Sequence, residues 1–413
     1  MYCLLLRFFT ILIARFTQNH YTDKNTMKTT VSLVKCEDYD RDRLLEAVRQ
    51  SIRLSGFDLA SLKGKRVALK PNLLMPFSPD RAVITHPAFF RAVAETVKHH
   101  TDNVVVIESP NFFPLQSTMK KTGYLDIAED LGLEIAEVTR TAALHYDRAD
   151  KYKSVEISEA FFDVDVIVNI PKLKTHGFTH YTGAVKNLFG SMPGLSKSRM
   201  HMKAPAHPQF AGFLLDLYGA LNFGFEKKKA FLHVMDAVVG MEGEGPGPSG
   251  RPKPVGAVLA GTDAVALDYV AANLVCLDVK KILTVTGGFS RAYGVTSPEE
   301  ITVAGEPLES MKVTDFKPSK NTAFSGVVWP LTSKTIKNLF TEKPVPHPES
   351  CVLCYYCKKV CPAGAIDTAA EGKKVPRYDY KKCIRCFCCM ETCPESAITA
   401  KKGTLQWMMN LFD

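Results

Sequence analysis

Eight cysteines toward the end of the sequence constrain this chain more than any other feature. Residues 351–366 read CVLCYYCKKVCPAGAI and residues 383–398 read CIRCFCCMETCPESAI. Each half carries Cys-x2-Cys-x2-Cys-x3-Cys-Pro, and the second repeats the first at an offset of 32 residues. Thiolate is a soft donor suited to iron–sulfur cores, and cysteines at i, i+3 and i+6 of one tight loop reach three corners of one cube. Structural zinc uses two separated Cys-x2-Cys pairs instead of a triplet with a remote fourth cysteine. A disulfide framework belongs to short secreted chains, whereas here nine of twelve cysteines fall within 43 positions of a 413-residue chain.

Residues 348–400 resemble two-cluster bacterial ferredoxins. The resemblance implies a small α+β unit over 348–401 in which the fourth cysteine of each run ligates the other half's cluster. Cys351, Cys354, Cys357 and Cys393 would then hold one [4Fe–4S] cluster, and Cys383, Cys386, Cys389 and Cys361 the other. Cys388 departs from the pattern. It adjoins Cys389, cannot replace it without breaking the spacing, and reads as a free or cluster-contacting thiol.

At 46% hydrophobic and 23% charged, the chain has room for two or three soluble domains. Exposed clusters require a reducing cytoplasm, low in oxygen. Eight ligand thiolates and two oxidised cores bring the formal charge of +9 to about +5. Residues 1–26 differ in character from the rest of the chain. Their apolar run, interrupted by Arg7, is too short to span a bilayer and lacks the features of a secretory signal. An upstream start codon preceding Met27 is the first reading and a membrane-surface anchor the second.

From residue 27 to 305, short apolar strands alternate with helices. Strands are expected at Thr29–Lys35, Arg66–Lys70, Asn103–Glu108, Leu133–Val138, Lys151–Ile157, Val164–Ile170, Ala230–Asp236 and Val255–Ala260. Helices are expected at Asp40–Ser55, from Pro87, and from a cap at Asp263 to Cys276. This is the pattern of an α/β domain with a largely parallel sheet and flanking helices, whose ligands bind at the carboxyl ends of strands.

The residues at those ends carry the chemistry. Lys70-Pro71-Asn72, Glu108-Ser109-Pro110, Pro171 through His176, and Asp236 all follow strands. From Val166 to Leu215, fifty residues contain no Asp or Glu but include Lys172, Lys174, Lys186, Lys197, Arg199, Lys203, His176, His180, His201 and His207. Such a segment creates a positive field that attracts an anion. Small residues before Lys186 and Asn187 offer backbone N–H groups at a helix start. Walker A spacing and an early Gly-x-Gly-x-x-Gly are both absent. Few aromatics interleave the lysines, which argues against nucleic acid.

Residues 240–256, GMEGEGPGPSGRPKPVG, read as a Gly/Pro-rich loop: a lid, a plain connection, or a place where Glu242 and Glu244 join Asp236 around a divalent metal. Cys36 and Cys276 read as buried apolar residues. Residues 306–347 read as a Pro-rich linker folding back on the first domain, with a short helix at Lys334–Phe340, and 402–413 as an apolar tail.

Residues 28–305 also resemble the domain-of-unknown-function 362 family. The motifs are LKPNLL at 69–74, THP at 85–87, IPKLKTHGFTHYTGAVKNLFGSMPG at 170–194, DAVVGMEGEGP at 236–246 and GTDAVALDYVAANLV at 261–275. The resemblance implies a shared site formed by Lys70, Asn72, Lys172, Lys174, His176, Lys186, Asn187, Asp236, Glu242 and Asp268. The fusion of a low-potential relay to a cationic strand-end site leads to the expectation of a ferredoxin-coupled reductase. Its anionic substrate would be held by Lys172, Lys174 and Lys186, with Lys70, Asn72, Asn187 and Glu242 around it and His176 as proton source, and a partner protein would exchange electrons. The alternative is a non-enzymatic carrier whose large domain docks a partner redox enzyme.

Overall fold

The strand–helix alternation folds into one wide sheet wrapped by helices, described by a computed structural model over residues 28–110, 113–136, 138–320 and 341–401. The expectations for residues 1–26, for a helix at Lys334–Phe340 and for the 402–413 tail lie outside those residues.

The strands of the large unit are β1 (Thr29–Lys35), β2 (Val67–Pro71), β3 (Val104–Val106), β4 (Glu134–Ile135), β5 (Thr141–His145), β6 (Ser154–Ser158), β7 (Val166–Ile170), β8 (Lys172–His176), β9 (His180–Thr182), β10 (Ala230–Gly243), β11 (Gly250–Gly261) and β12 (Ile301–Gly305). The main sheet runs β12-β1-β11-β10-β7-β2-β3-β4. Its β10-β7-β2-β3-β4 portion is parallel throughout, and the antiparallel β10–β11 hairpin joins it to β1. Alternating side chains build a core on each face. Ala68, Val105 and Ile167 enter one cluster, and Val67, Leu69, Val104, Val106, Val166 and Val168 enter the other. Each valine, leucine or isoleucine among them, fully buried, contributes roughly 1.5–3 kcal/mol.

The helices are α1 (Arg41–Leu54), α2 (Pro87–Lys98), α3 (Leu115–Thr122), α4 (Tyr124–Asp130), α5 (Ala184–Asn187), α6 (Gly194–Lys203), α7 (His207–Phe223), α8 (Ala264–Leu274), α9 (Leu283–Arg291) and α10 (Leu308–Met311). Their starts follow the sequence signals. The Asp40 carboxylate accepts from Arg43 N at 3.2 Å, the His86 ring from Ala88 N at 3.2 Å, and Asp263 from Val265 N at 2.7 Å. Cys36 is buried as expected, but Cys276 is exposed: α8 stops at Leu274, and Cys276 lies in a left-handed turn (φ 53°) beyond it.

Two departures shape the site. Val166–Ile170 does not end in a loop. After Pro171 the chain re-enters the sheet as β8, pairing with the far half of β10, so the KLKTH segment is buried strand. The Gly/Pro-rich stretch 240–256 is mostly the hairpin itself, with Gly240–Gly243 pairing with Gly250–Lys253. The segment after β12 stays on the large unit, through Val313 N to Leu274 O and Gly243 N to Lys317 O, both 2.8 Å.

The small unit contains β13 (Lys343–Pro346), α11 (Tyr356–Val360), β14 (Ile366–Asp367), β15 (Arg377–Tyr378), α12 (Cys388–Glu391) and β16 (Ile398–Lys401), with β13–β16 and β14–β15 antiparallel. The duplication in sequence is duplicated in the backbone. Leu353 and Tyr355 are left-handed (φ 55° and 59°), as are their counterparts Arg385 and Phe387 (φ 65° and 58°). Gly364 (φ 56°) corresponds to Ser396 (φ 52°), where a side chain tolerates a conformation that favours glycine. No described helix is long and apolar enough to cross a membrane.

Candidate functional site

The expected cluster ligands gather as the spacing requires. A recess of about 360 Å³ is lined by Cys351, Cys354, Cys357 and Cys393, the first set of four. In the second set, Cys389 lies close enough to Cys386, Cys383 and Cys361 for their charges to raise its thiol pKa, after burial, the largest cause. The remote cysteines are matched: Cys361 Sγ accepts from Ala365 N and Cys393 Sγ from Ala397 N, each at 3.3 Å. Among the described residues no three or more His, Cys, Asp or Glu side chains converge on a single ion position. Soft thiolates spread around a recess suit a multi-iron core in which each corner takes one ligand. Two sets of four thiols fit two [4Fe–4S] clusters. Cys388 belongs to neither set and is buried.

In the large unit, the residues grouped by sequence separate into three places. β8 puts Lys172, Lys174 and His176 on one side of a strand at alternate positions, each about 1% exposed. Lys172 Nζ donates to Asp236 Oδ2 and to Tyr39 OH, both at 2.7 Å, while Tyr39 OH and His86 N donate to Asp236 at 2.9 Å. The Tyr39 and His86 rings stack at 3.7 Å over this pair. Lys172 and Asp236 therefore satisfy each other and do not face an open site. Lys70 is closed in the same way, its Nζ 2.7 Å from Glu108 Oε2 with both side chains buried. Asn187 donates to Asn169 Oδ1 at 2.8 Å and lines that network.

Glu242 is drawn away from Asp236, since its carboxylate accepts from Lys317 N at 2.9 Å. Glu244 accepts from Lys320 N and from Ser319 Oγ. The divalent-metal expectation near Asp236 and Glu242 thus finds no converging donors: the hairpin extends as strand and the segment after β12 takes both glutamates. The helix-start expectation is also corrected. The N–H groups of Ala184 and Val185 are taken by the Asp268 carboxylate at 2.6 and 3.0 Å, so these two do not face a ligand. Asp268 is pushed up to about 7 by burial, against the pull of those N–H groups.

Lys174, Lys186 and His176 do come together. Lys174 Nζ donates to Asn72 Oδ1 and Val83 O, each at 2.7 Å. Burial, and then the neighbouring Lys186 ammonium, holds Lys174 well below the usual lysine range. Burial likewise lowers Lys186 and, with Lys186 beside it, depresses His176 strongly. His176 Nδ1 accepts from Phe178 N at 3.0 Å and Thr179 N at 3.3 Å, which places the ring hydrogen of the neutral imidazole on Nε2.

Facing this cationic group is a residue that composition gave no reason to select. Glu391, at the end of α12, has Oε1 3.5 Å from His176 Nε2, and its side chain keeps 15% exposure. Its pKa is raised by burial and lowered by Lys186 and Lys174. The small unit is docked here by Arg81, which donates to Pro394 O at 2.9 Å and to Ser396 Oγ at 3.2 Å, and by Ser396 Oγ donating to Pro248 O at 2.8 Å. Gly247 lies against the Glu391 backbone, where an added Cβ would come within 2.7 Å of Cα. A recess of about 290 Å³ remains at this junction, lined by Phe178, Gly245, Gly247, Ser249, Met390 and Glu391 among others.

Residues 67–273 match the family described as Domain of unknown function (DUF362), and residues 343–394 match the 4Fe-4S dicluster domain. Among curated proteins, Thylakoid-associated protein sll1697 of Synechocystis sp. is 33% identical over 287 residues, covering 68% of this chain and 86% of that protein. Among solved structures, the lactate racemase apoprotein from Thermoanaerobacterium thermosaccharolyticum aligns with a TM-score of 0.36 at 14% identity, over 60% of each chain. A protein from Thermotoga maritima aligns with a TM-score of 0.34 at 12% identity, over 62% of this chain and 60% of its own.

Proposed function

The chain belongs to the DUF362 family and carries a 4Fe-4S dicluster domain, and from that premise we propose that it is an iron–sulfur electron-transfer protein reducing a small anionic substrate. When bound, the two clusters supply single-electron storage and transfer. One observation carries the reading: the four-residue helix α12 contains both the ligand Cys389 and Glu391, the carboxylate that faces His176. The cluster-bearing unit is thereby seated on the cationic end of the sheet, which supports an electron path from the clusters to that end.

In this reading Lys186 holds the anion by charge, Lys174 stands behind it on Asn72 and Val83 O, and the His176 Nε2–H donates to the anion from the position from which a proton can be passed. Phe178 and Met390 at the junction exclude water. In the small unit, Cys354 is exposed and Val352 is 63% exposed near it, which supports a protein electron donor or acceptor docking there. Solvent-near ligand thiolates favour a reducing, cytoplasmic setting.

The carrier reading keeps one point in its favour, since Lys172 and Lys70 are already neutralised by Asp236 and Glu108. Dithionite reduction of the cluster-loaded chain, followed by addition of carboxylates and phosphates, separates the two readings. Substrate-dependent reoxidation is expected. If no compound in a broad panel accelerates it, the reductase reading fails and the carrier stands.

A further inference from the structure

We infer that the position Glu391 takes in front of His176, beside Lys186, is a carboxylate site, and that Glu391 is its built-in occupant, displaced when a small carboxylate binds. The inference rests on the reading of this position as the anion site and specifies its ligand class. The contrast with Asp236 is the starting point. Asp236 is gripped by a lysine, a tyrosine hydroxyl and a backbone N–H within 2.9 Å. Glu391 has charge around it but no such fit. Its approach to His176 Nε2 is 3.5 Å, and that nitrogen is buried without a hydrogen-bond partner. A neutral donor at that distance is not hydrogen-bonded, and an unsatisfied buried donor is costly. Among the described residues the Lys186 side chain also makes no hydrogen bond; burial lowers its pKa, and the charge of Glu391 opposes that.

The junction therefore has a cation and an oriented N–H donor held in place by the fold, facing a carboxylate that satisfies neither by hydrogen bonding. Glu391 lines the adjoining recess and keeps 15% exposure, so its side chain has a way out toward solvent when a ligand takes its place. Ser249, which lines that recess, has a buried hydroxyl with no partner, a second polar group available to a ligand. A carboxylate is the group this arrangement already accommodates, so short mono- and dicarboxylates are the class it takes.

The test is titration calorimetry on the cluster-loaded chain with acetate, propionate and succinate, and with inorganic phosphate for comparison. Carboxylates should bind the natural chain weakly and Glu391→Gln about tenfold more tightly, because the competing charge is gone. Lys186→Met should lose binding while keeping its cluster absorbance. Glu391→Asp, which keeps the charge but draws it back, should fall between the natural chain and Glu391→Gln, and it serves where the amide variant does not load clusters. Equal or weaker carboxylate binding in both Glu391 variants overturns the inference, as does the absence of carboxylate binding or tighter binding of phosphate. Carboxylate binding without reoxidation would leave the inference standing and remove the reductase. Reoxidation with unchanged affinity in the Glu391 variants would do the reverse.

Discussion

Nε2 of His176 and Oε1 of Glu391 face each other at 3.5 Å across the boundary between the sheet domain and the cysteine-rich unit. The other ring nitrogen is fixed by the N–H groups of Phe178 and Thr179. His176 thus has a structural end and an outward end, which substitution can separate. His176→Phe leaves both N–H groups without an acceptor and should cost about 1–3 kcal/mol in denaturant unfolding. His176→Asn offers an oxygen to those N–H groups but does not reach Glu391. It should recover part of the stability while substrate-dependent reoxidation stays lost. Equal reoxidation in the natural chain and His176→Asn would remove the histidine from the chemistry.

The docking of the two units rests on a close approach at Gly247. A Cβ there would lie 2.7 Å from the Cα and carbonyl oxygen of Glu391, atoms that cannot swing aside as a side-chain tip would. Gly247→Ala should therefore push α12 off the sheet edge without touching a cysteine. Iron content should stay at about eight per chain, amide exchange over 387–391 should speed up, and any substrate-dependent reoxidation should fall. Retained exchange protection in the alanine variant would show that the contact carries no docking energy.

Asp268 holds α5, and with it Lys186, by accepting from Ala184 N and Val185 N. Removing that carboxylate strands two buried donors. Asp268→Ala should lower stability by about 2–5 kcal/mol and weaken carboxylate binding by displacing Lys186. Asp268→Asn keeps one acceptor oxygen and should lose less in urea unfolding. The same loss in both variants would mean that the charge, and not the acceptor, fixes the helix.

Much of this arrangement could be read from the sequence. The Cys-x2-Cys-x2-Cys runs announced the two thiol sets, and the apolar VALK, VVVI and VIVNI segments announced the parallel strands. The fifty-residue stretch without acids contains β8 and α5, the elements that carry Lys174, His176 and Lys186. What composition could not supply was pairing at long range. Lys172 and Lys70 look like free cations in the sequence, but Asp236 in β10 and Glu108 just beyond β3 neutralise them. Glu391 was passed over because its acidity has meaning only opposite Lys186, far away in the chain. The Gly/Pro-rich 240–256 stretch misled for a local reason. Pro252 and Pro254 lie in β11, which β10 flanks on one side along most of its length. On the other side β1 pairs with it only from Ala257 onward, so both prolines sit on an edge, where proline is tolerated.

The acid-free stretch also leaves a signature in pH dependence. His201 is stacked on Phe210 at 4.3 Å, with Phe178 near it, and burial, then Lys186, pushes it down to about 3. Burial likewise puts His233 at about 3 and His207, helped by His180, at about 4. Unfolded histidine titrates near 6.5. Below that pH the unfolded chain binds protons that the folded chain refuses, so stability is full above about 6.5 and falls as the pH drops toward the folded values. At pH 5.5 each such histidine should cost about 1.4 kcal/mol. His201→Phe keeps the stacked ring and removes the proton site, so its loss of thermal stability between pH 7.5 and 5.5, followed by circular dichroism, should be smaller by about 2–4 °C per kcal/mol. A pH-induced shift identical to that of the natural chain would mean that His201 is protonated in the folded state, and that its ring is not sealed in the apolar wall behind His176.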